Sequence, residues 1–490
     1  MTQRSLDDAR RAALLRELST LRSDGDDAVA DDPRWFLPLE AHRHALRMEA
    51  LVVRGGRGAG KSALFGFLRQ VQRHPELAVH ASVGADIAWC DGFDNTQDHP
   101  SLEVVGEFDR NAVDDDERRF FWFAWLCVRL AVASGTALPP AVQRALCGSA
   151  APAALAPAVT RDPQRLAATG RAHLVELSGW LDALERGRTQ PIVVTYDRLD
   201  RIGSSSATRQ HMATTLLAMW LSLADRYRRV RPKIFLREDL FQASLSKFPD
   251  ASKLMGRSVV LDWRVEDLYR VLIKHMANVS DGLKDWIEAS ARGIPLSPGG
   301  RLGWLPPPTL PPEGPASQKH FVDHLAGEWM GSGPKKGRTV HWIPNRLQDA
   351  HARAVPRSIL GLVRNAAQLA LDRGPKGQYL RLLHPEELAG ALEATSKARC
   401  AELEEEFPVV NRLESLRGQI VMLPRRRAVA ALAQVPRAGD DGHGDDGERV
   451  LQTLIDLGVM SERQDGRIDI PDIYRYHFGI LRKGGVKRPQ

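Results

Sequence analysis

Cysteine is scarce in this chain. Its four thiols, Cys90, Cys127, Cys147 and Cys400, share no CxxC spacing among 490 residues. They support neither a metal-binding thiolate cluster nor a disulfide framework, and a reducing cytoplasm is the expected compartment. Long apolar runs are missing too: Phe120 to Ser134 is short for a bilayer and is interrupted by Arg129, so no membrane span is expected. The N-terminus, with Asp7, Asp8, Arg10 and Arg11 near its start, lacks the apolar segment of a signal peptide. No repeat of about 20–50 residues recurs. Charge of one sign is in small excess only, 68 Lys+Arg against 61 Asp+Glu. From Arg417 onward 13 Lys/Arg face 10 Asp/Glu. A pI near 9.3 permits a nucleic-acid partner without selecting one.

What is present is ordinary for a globular protein: 43% hydrophobic and 26% charged residues. The length exceeds one compact core, so several domains are expected. Residues 1–33 read as a polar helix, with Ala13, Leu14, Leu18 and Leu21 on one face, followed by a linker. Residues 34–292 alternate apolar runs with helical patterns. The expected strands are Ala50–Arg54, His80–Trp89 (ending in a loop Cys90–Phe93), Pro191–Asp197, Lys233–Arg237 and Ser258–Trp263. Helices are expected over Asp114–Ala133, Ala207–Arg228 and Val265–Asn278. That alternation predicts a mostly parallel sheet between helical layers. An Ala/Pro-rich stretch near 135–163 reads as a surface insertion. Residues 293–416 begin Pro/Gly-rich and continue as helices at Gln318–Trp329, Pro356–Leu371 and Pro385–Glu405. Residues 417–490 show a helix after Pro424, an acidic loop, a helix Arg449–Leu457 and a strand Arg467–Ile470, the pattern of a winged helix.

The most informative segment joins the first strand to the helix that follows it. Gly55-Gly56-Arg57-Gly58-Ala59-Gly60-Lys61-Ser62 has the spacing of a Walker A phosphate loop. Glycines let the backbone curl so that its N–H groups face phosphate oxygens. Lys61 would reach the β and γ phosphates, Ser62 would ligate Mg²⁺, and a helix N-terminus would face the anion. ATP and Mg²⁺ are therefore the expected ligands.

Hydrolysis needs a metal-holding carboxylate on a neighbouring strand, and Asp197 ends the third one. A turn-capping role is the alternative. Asp200 is a candidate base for the attacking water, or else a turn carboxylate paired with Arg201. Arg237, ending the fourth strand, suits a γ-phosphate contact, or else a salt bridge with Glu238 or Asp239. Arg357 opens a helix after Pro356, where it would reach the nucleotide from a lid or simply stand exposed.

Together these residues resemble the AAA+/STAND branch of bacterial P-loop ATPases, over about residues 34–380. The resemblance implies an α/β three-layer sheet ordered 5-1-4-3-2, a helical lid and a C-terminal winged helix. It also implies Lys61 and Ser62 as phosphate and Mg²⁺ ligands, Asp197 as the Walker B acid, and Arg237 and Arg357 as sensors. Arg198 departs from the pattern, since an acid commonly follows the metal-linked Asp. An ATP-driven conformational or assembly switch is implied, with a protein partner or self-assembly, in a multi-component bacterial system such as phage defence. A DNA-associated ATPase is the alternative, motivated by Arg425-Arg426-Arg427 and by Arg482, Lys483, Lys487 and Arg488.

Overall fold

In a computed structural model of the chain, residues 6–22, 32–81, 84, 86–147, 160–203, 205–289, 293–374, 379–405, 407–434 and 443–483 are described. Two compact units emerge, Asp26–Asp262 and a second made of Met1–Gly25 with Trp263–Gln490. Of the linker expected within residues 1–33, positions 23–31 lie outside the described residues.

The first unit is built on five parallel strands: β1 (Val52–Gly55), β2 (Ala88–Phe93), β3 (Ile192–Tyr196), β4 (Val230–Arg237) and β5 (Ser258–Val260). Their order is β2-β3-β4-β1-β5, which from the other edge is 5-1-4-3-2. Every residue of β3 is buried, as a strand covered on both faces requires. The covering helices include α1 (Lys61–Arg73), packed on β1, β2 and β4, α2 (Leu102–Asn111), α3 (Asp115–Ser134) on β2, and α4 (Ser206–Arg226) on β4.

Helix α3 starts where the Asp114 carboxylate accepts from Glu117 N and stops at Gly135, whose φ of 67° is left-handed. Its Trp122 and Trp125 are fully buried, yet each indole N–H finds a carbonyl, Met212 O at 3.0 Å and Gly92 O at 2.6 Å. Pro232 lies within β4, opposite Val194 of β3. The pairing of β4 with β1 begins only at Ile234, so the missing proline N–H falls where β4 has one neighbour.

Two expectations for this unit are corrected. The second strand is not His80–Trp89 but Ala88–Phe93, so Cys90–Phe93 is strand rather than loop. Cys90 and Phe93 are buried beside β3, and burial there outweighs the turn character of Asp91-Gly92. The Ala/Pro-rich stretch is not wholly a surface insertion: helix Pro140–Cys147 buries Val142 and Leu146, four residues apart on one face. Residues 148–159 of it lie outside the described residues. The helices Pro163–Ala172 and Leu174–Gly187 went unread. A Cβ at Gly170 would stand 2.4 Å from Phe120 O, so that glycine is what lets the first of them lie close on α3.

The second unit is helical. Its N-terminal helix Asp8–Leu18 buries Leu14, Leu15 and Leu18 and packs on helix Pro356–Arg373. Arg11 is buried with it, 3.1 Å from Glu387 and donating to Leu382 O at 2.9 Å. Helices Val265–Val279, Asp281–Ala289, Gln318–Ala326, Thr339–Leu347 and Pro385–Glu404 complete the body. Near the C-terminus, helices Arg425–Leu432 and Gly447–Asp456 pack together beside an antiparallel sheet of Ser461–Glu462, Arg467–Asp469 and Leu423–Pro424. Among the described residues no helix is long and apolar enough to cross a membrane.

Candidate nucleotide-binding site

Gly55 ends β1 in register with Arg237 at the end of β4. A Cβ at Gly55 would meet Ala59 Cβ at 3.1 Å and Leu261 O at 3.3 Å, so the loop curls back tightly there. Gly58 and Gly60 have φ of 79° and 89°, the left-handed region that glycine enters without Cβ strain. Arg57 is half-buried and Ala59 is buried between them. Gly60 caps α1 with no side-chain acceptor, so the positive end of a 13-residue helix opens on the loop.

Lys61 folds back over this loop. Its ammonium donates to Gly55 O at 2.9 Å and Gly56 O at 3.0 Å. Burial pushes its pKa down, while Asp200 and Asp197 pull the other way. Two carbonyls of the loop thus hold the ammonium.

Asp197 follows β3, with its N–H donating to Phe93 O at 3.0 Å. The carboxyl is buried and its pKa is pushed up to about 6. Burial is the main cause and the Asp200 charge adds to it; the Arg198 backbone, the Ser62 hydroxyl and Lys61 oppose it. Even so, Asp197 Oδ2 is buried without a hydrogen-bond partner. An orphaned carboxylate oxygen beside a serine hydroxyl is a pair of hard oxygen donors, which suits Mg²⁺. Among the described residues no cluster of three His, Cys, Asp or Glu offers another metal site.

Asp200 sits on the short turn Leu199–Arg201, with its charge acting on both Lys61 and Asp197. One Arg237 nitrogen, Nη1, stands 4.0 Å from Asp200 Oδ2. The rest of that guanidinium grips Asp239 with two bonds, Nε to Oδ1 at 3.0 Å and Nη2 to Oδ2 at 2.7 Å. Lys61, Ser62, Asp197, Asp200 and Arg237 are therefore brought together from the ends of β1, β3 and β4. Arg357 belongs to the second unit, where its Nη1 pairs with Glu402 at 2.7 Å.

Three features escaped the sequence. Arg198 adopts a left-handed backbone, φ 61°, and its Nε lies 3.0 Å from Asp94 Oδ1. Asp94 also holds Arg69 of α1 at 3.2 Å. Arg54 of β1 pairs at 2.6 Å with Glu238, which opens helix α5 (Glu238–Leu245). Ending β2 at Phe93 would have exposed Asp94 as an acid at a strand's carboxyl end.

The basic clusters are partly paired internally. Arg425 pairs with Glu448 and Glu462, and the half-buried Arg482 pairs with Asp469. Arg426 and Arg427 are exposed, whereas Lys487 and Arg488 lie outside the described residues.

No family model and no curated protein matches the chain. Among solved structures, it is similar to the Aeropyrum pernix ORC2 protein in ADPNP–ADP complexes, at 14% identity and TM-score 0.40, covering 92% of this chain and 96% of that one. A Walker-type ATPase of Pyrococcus abyssi aligns at 13% identity and TM-score 0.36, covering 90% and 94%. The Aeropyrum pernix ORC1 protein in complex with DNA aligns at 15% identity and TM-score 0.32, covering 95% and 90%.

Proposed function

We propose that this chain is a Mg²⁺-dependent ATPase of the P-loop class, AAA+/STAND-like, whose nucleotide state sets its conformation or assembly. The observation that carries the reading is the orphaned Asp197 Oδ2 beside Ser62, next to a glycine cradle that already holds the Lys61 ammonium. The loop N–H groups and the α1 N-terminus bind the phosphates, and Lys61 exchanges its two carbonyls for phosphate oxygens. Mg²⁺, held by Ser62 and Asp197, supplies neutralising charge when bound. Asp200 orients the attacking water, since residue 198 is turned away. Arg237 exchanges Asp239 for the far phosphate. Arg357 enters the proposal as a lid arginine, to be tested by the same assays.

Mg-ATP at about 100 times its dissociation constant should stabilise the protein by roughly 2.7 kcal/mol. Lys61→Ala should abolish that melting shift and phosphate release with it. A wild type whose melting point ignores millimolar Mg-ATP would refute the proposal. Size-exclusion with a non-hydrolysable ATP analogue tests assembly, and an unchanged elution volume would remove that part.

DNA is a second reading, motivated by the exposed Arg426 and Arg427 at the start of a helix in a two-helix, three-strand arrangement. Affinity for duplex should fall steeply as salt rises, and absence of binding at low salt would discard it.

A further inference from the structure

We infer that Asp94 is a positioning residue: by clamping Arg198 it turns the chain behind Asp197 so that Asp200 is the acid facing the phosphate. The inference rests on the ATPase reading above.

Arg198 is not glycine, yet its backbone is left-handed, with φ 61° and ψ 20°. A Cβ makes that conformation costly, so something must hold it. The clamp is the bond from Arg198 Nε to Asp94 Oδ1, between two nearly buried side chains. Asp94 is fixed in turn from two further directions. Arg69 Nη1 reaches it from α1 at 3.2 Å, and its Oδ1 accepts from Asn95 N at 2.7 Å. One carboxylate thereby joins the helix behind the phosphate loop, the end of β2 and the turn after β3.

The consequence of the turn is a change of register. After Arg198 the chain closes a tight turn, Arg201 N donating to Arg198 O at 3.0 Å, with Leu199 buried. Asp200 is then delivered to the ground between Lys61, Asp197 and Arg237. Arg198, whose cation would otherwise compete for phosphate or for the metal acid, is drawn toward β2. The departure from an acid at position 198 is thus compensated by geometry: the acid comes from two residues further on.

The test separates turnover from binding. Phosphate release and Mg-ATP melting shifts are measured for wild type, Asp94→Ala, Asp94→Asn and the double variant Asp94→Ala/Arg198→Gly. Asp94→Ala should lose on the order of tenfold to a hundredfold in kcat while KM and the melting shift stay within about twofold, as expected for a misplaced acid in an intact phosphate cradle. Asp94→Asn, similar in shape and neutral, should show a smaller loss in the same direction and serves if the alanine variant does not fold. Glycine at 198 takes the left-handed turn without a clamp, so the double variant should recover most of the lost kcat.

Wild-type kcat in Asp94→Ala would overturn the inference. So would a parallel loss of melting shift and turnover, or a double variant no better than Asp94→Ala. A wild type without any Mg-ATP melting shift would instead refute the ATPase reading itself.

Discussion

Replacing Asp197 by asparagine should make the ligand-free protein more stable while disabling it. The carboxyl is buried beside the like charge of Asp200 and keeps one oxygen without a partner, which lifts its pKa from 3.8 to about 6. The folded state therefore holds this proton more tightly than the unfolded chain. Folding takes up a proton between those two values, and stability falls as pH rises through that window. Above pH 6 the whole penalty is present: a rise of this size, at about 1.4 kcal/mol for each tenfold, amounts to about 3 kcal/mol. Asparagine carries no such charge. In EDTA at pH 7.5, melting of Asp197→Asn should exceed wild type by roughly 6–12 °C, at about 2–4 °C per kcal/mol for a unit of this size. The two curves should converge toward pH 4. Mg-ATP should raise the melting point of wild type only. Equal melting points at pH 7.5, or an offset that persists unchanged at pH 4, would refute the reasoning.

Lys233 of β4 is fully buried, donating to Arg47 O and Ala50 O, and burial, aided by the Arg231 charge, lowers its pKa to about 7. Above pH 7 the unfolded chain binds the extra proton, so this residue should add about 2 to 3 kcal/mol of stability between pH 7 and 9. Denaturant melts of Lys233→Met should lack that rise, and parallel slopes would reject the assignment. Asp239→Asn should free the Arg237 fork. Because Asp239 is 42% exposed, the bond is discounted to roughly 0.5–1 kcal/mol, a two- to fivefold gain in ATP affinity over ADP. Unchanged or weaker ATP binding in a titration would rule out that latch.

The curled loop between β1 and α1 was legible because its residues are contiguous: glycines, Lys61 and Ser62 follow a strand within a few residues. The meeting of Asp197 and Arg237 beside it was legible because each ends an apolar run, and parallel packing gathers such ends on one side. Asp94 was not, since reading β2 from its apolar start put Asp91 and Gly92 in a loop. The burial that makes them strand comes from β3, about a hundred residues away in the chain. Arg237 shows the salt bridge to Asp239 that was one of its two readings, and it lies within reach of Asp200. Arg357, open between a lid contact and an exposed position, is half-buried and pairs with Glu402 within the second unit. The apolar face of the N-terminal helix was legible in Leu14, Leu18 and Leu21, but the burial of Arg11 by Glu387 was not, since no local pattern reveals that partner.

Arg54 stands one residue ahead of Gly55, and Glu238 one residue past Arg237. Their ion pair rivets the root of the phosphate cradle to the root of the arginine that would read the outermost phosphate. In the proposed ATPase, loss of that phosphate would move neither root alone. Through this pair the ends of β1 and β4 would answer as one lever, not as two independent contacts.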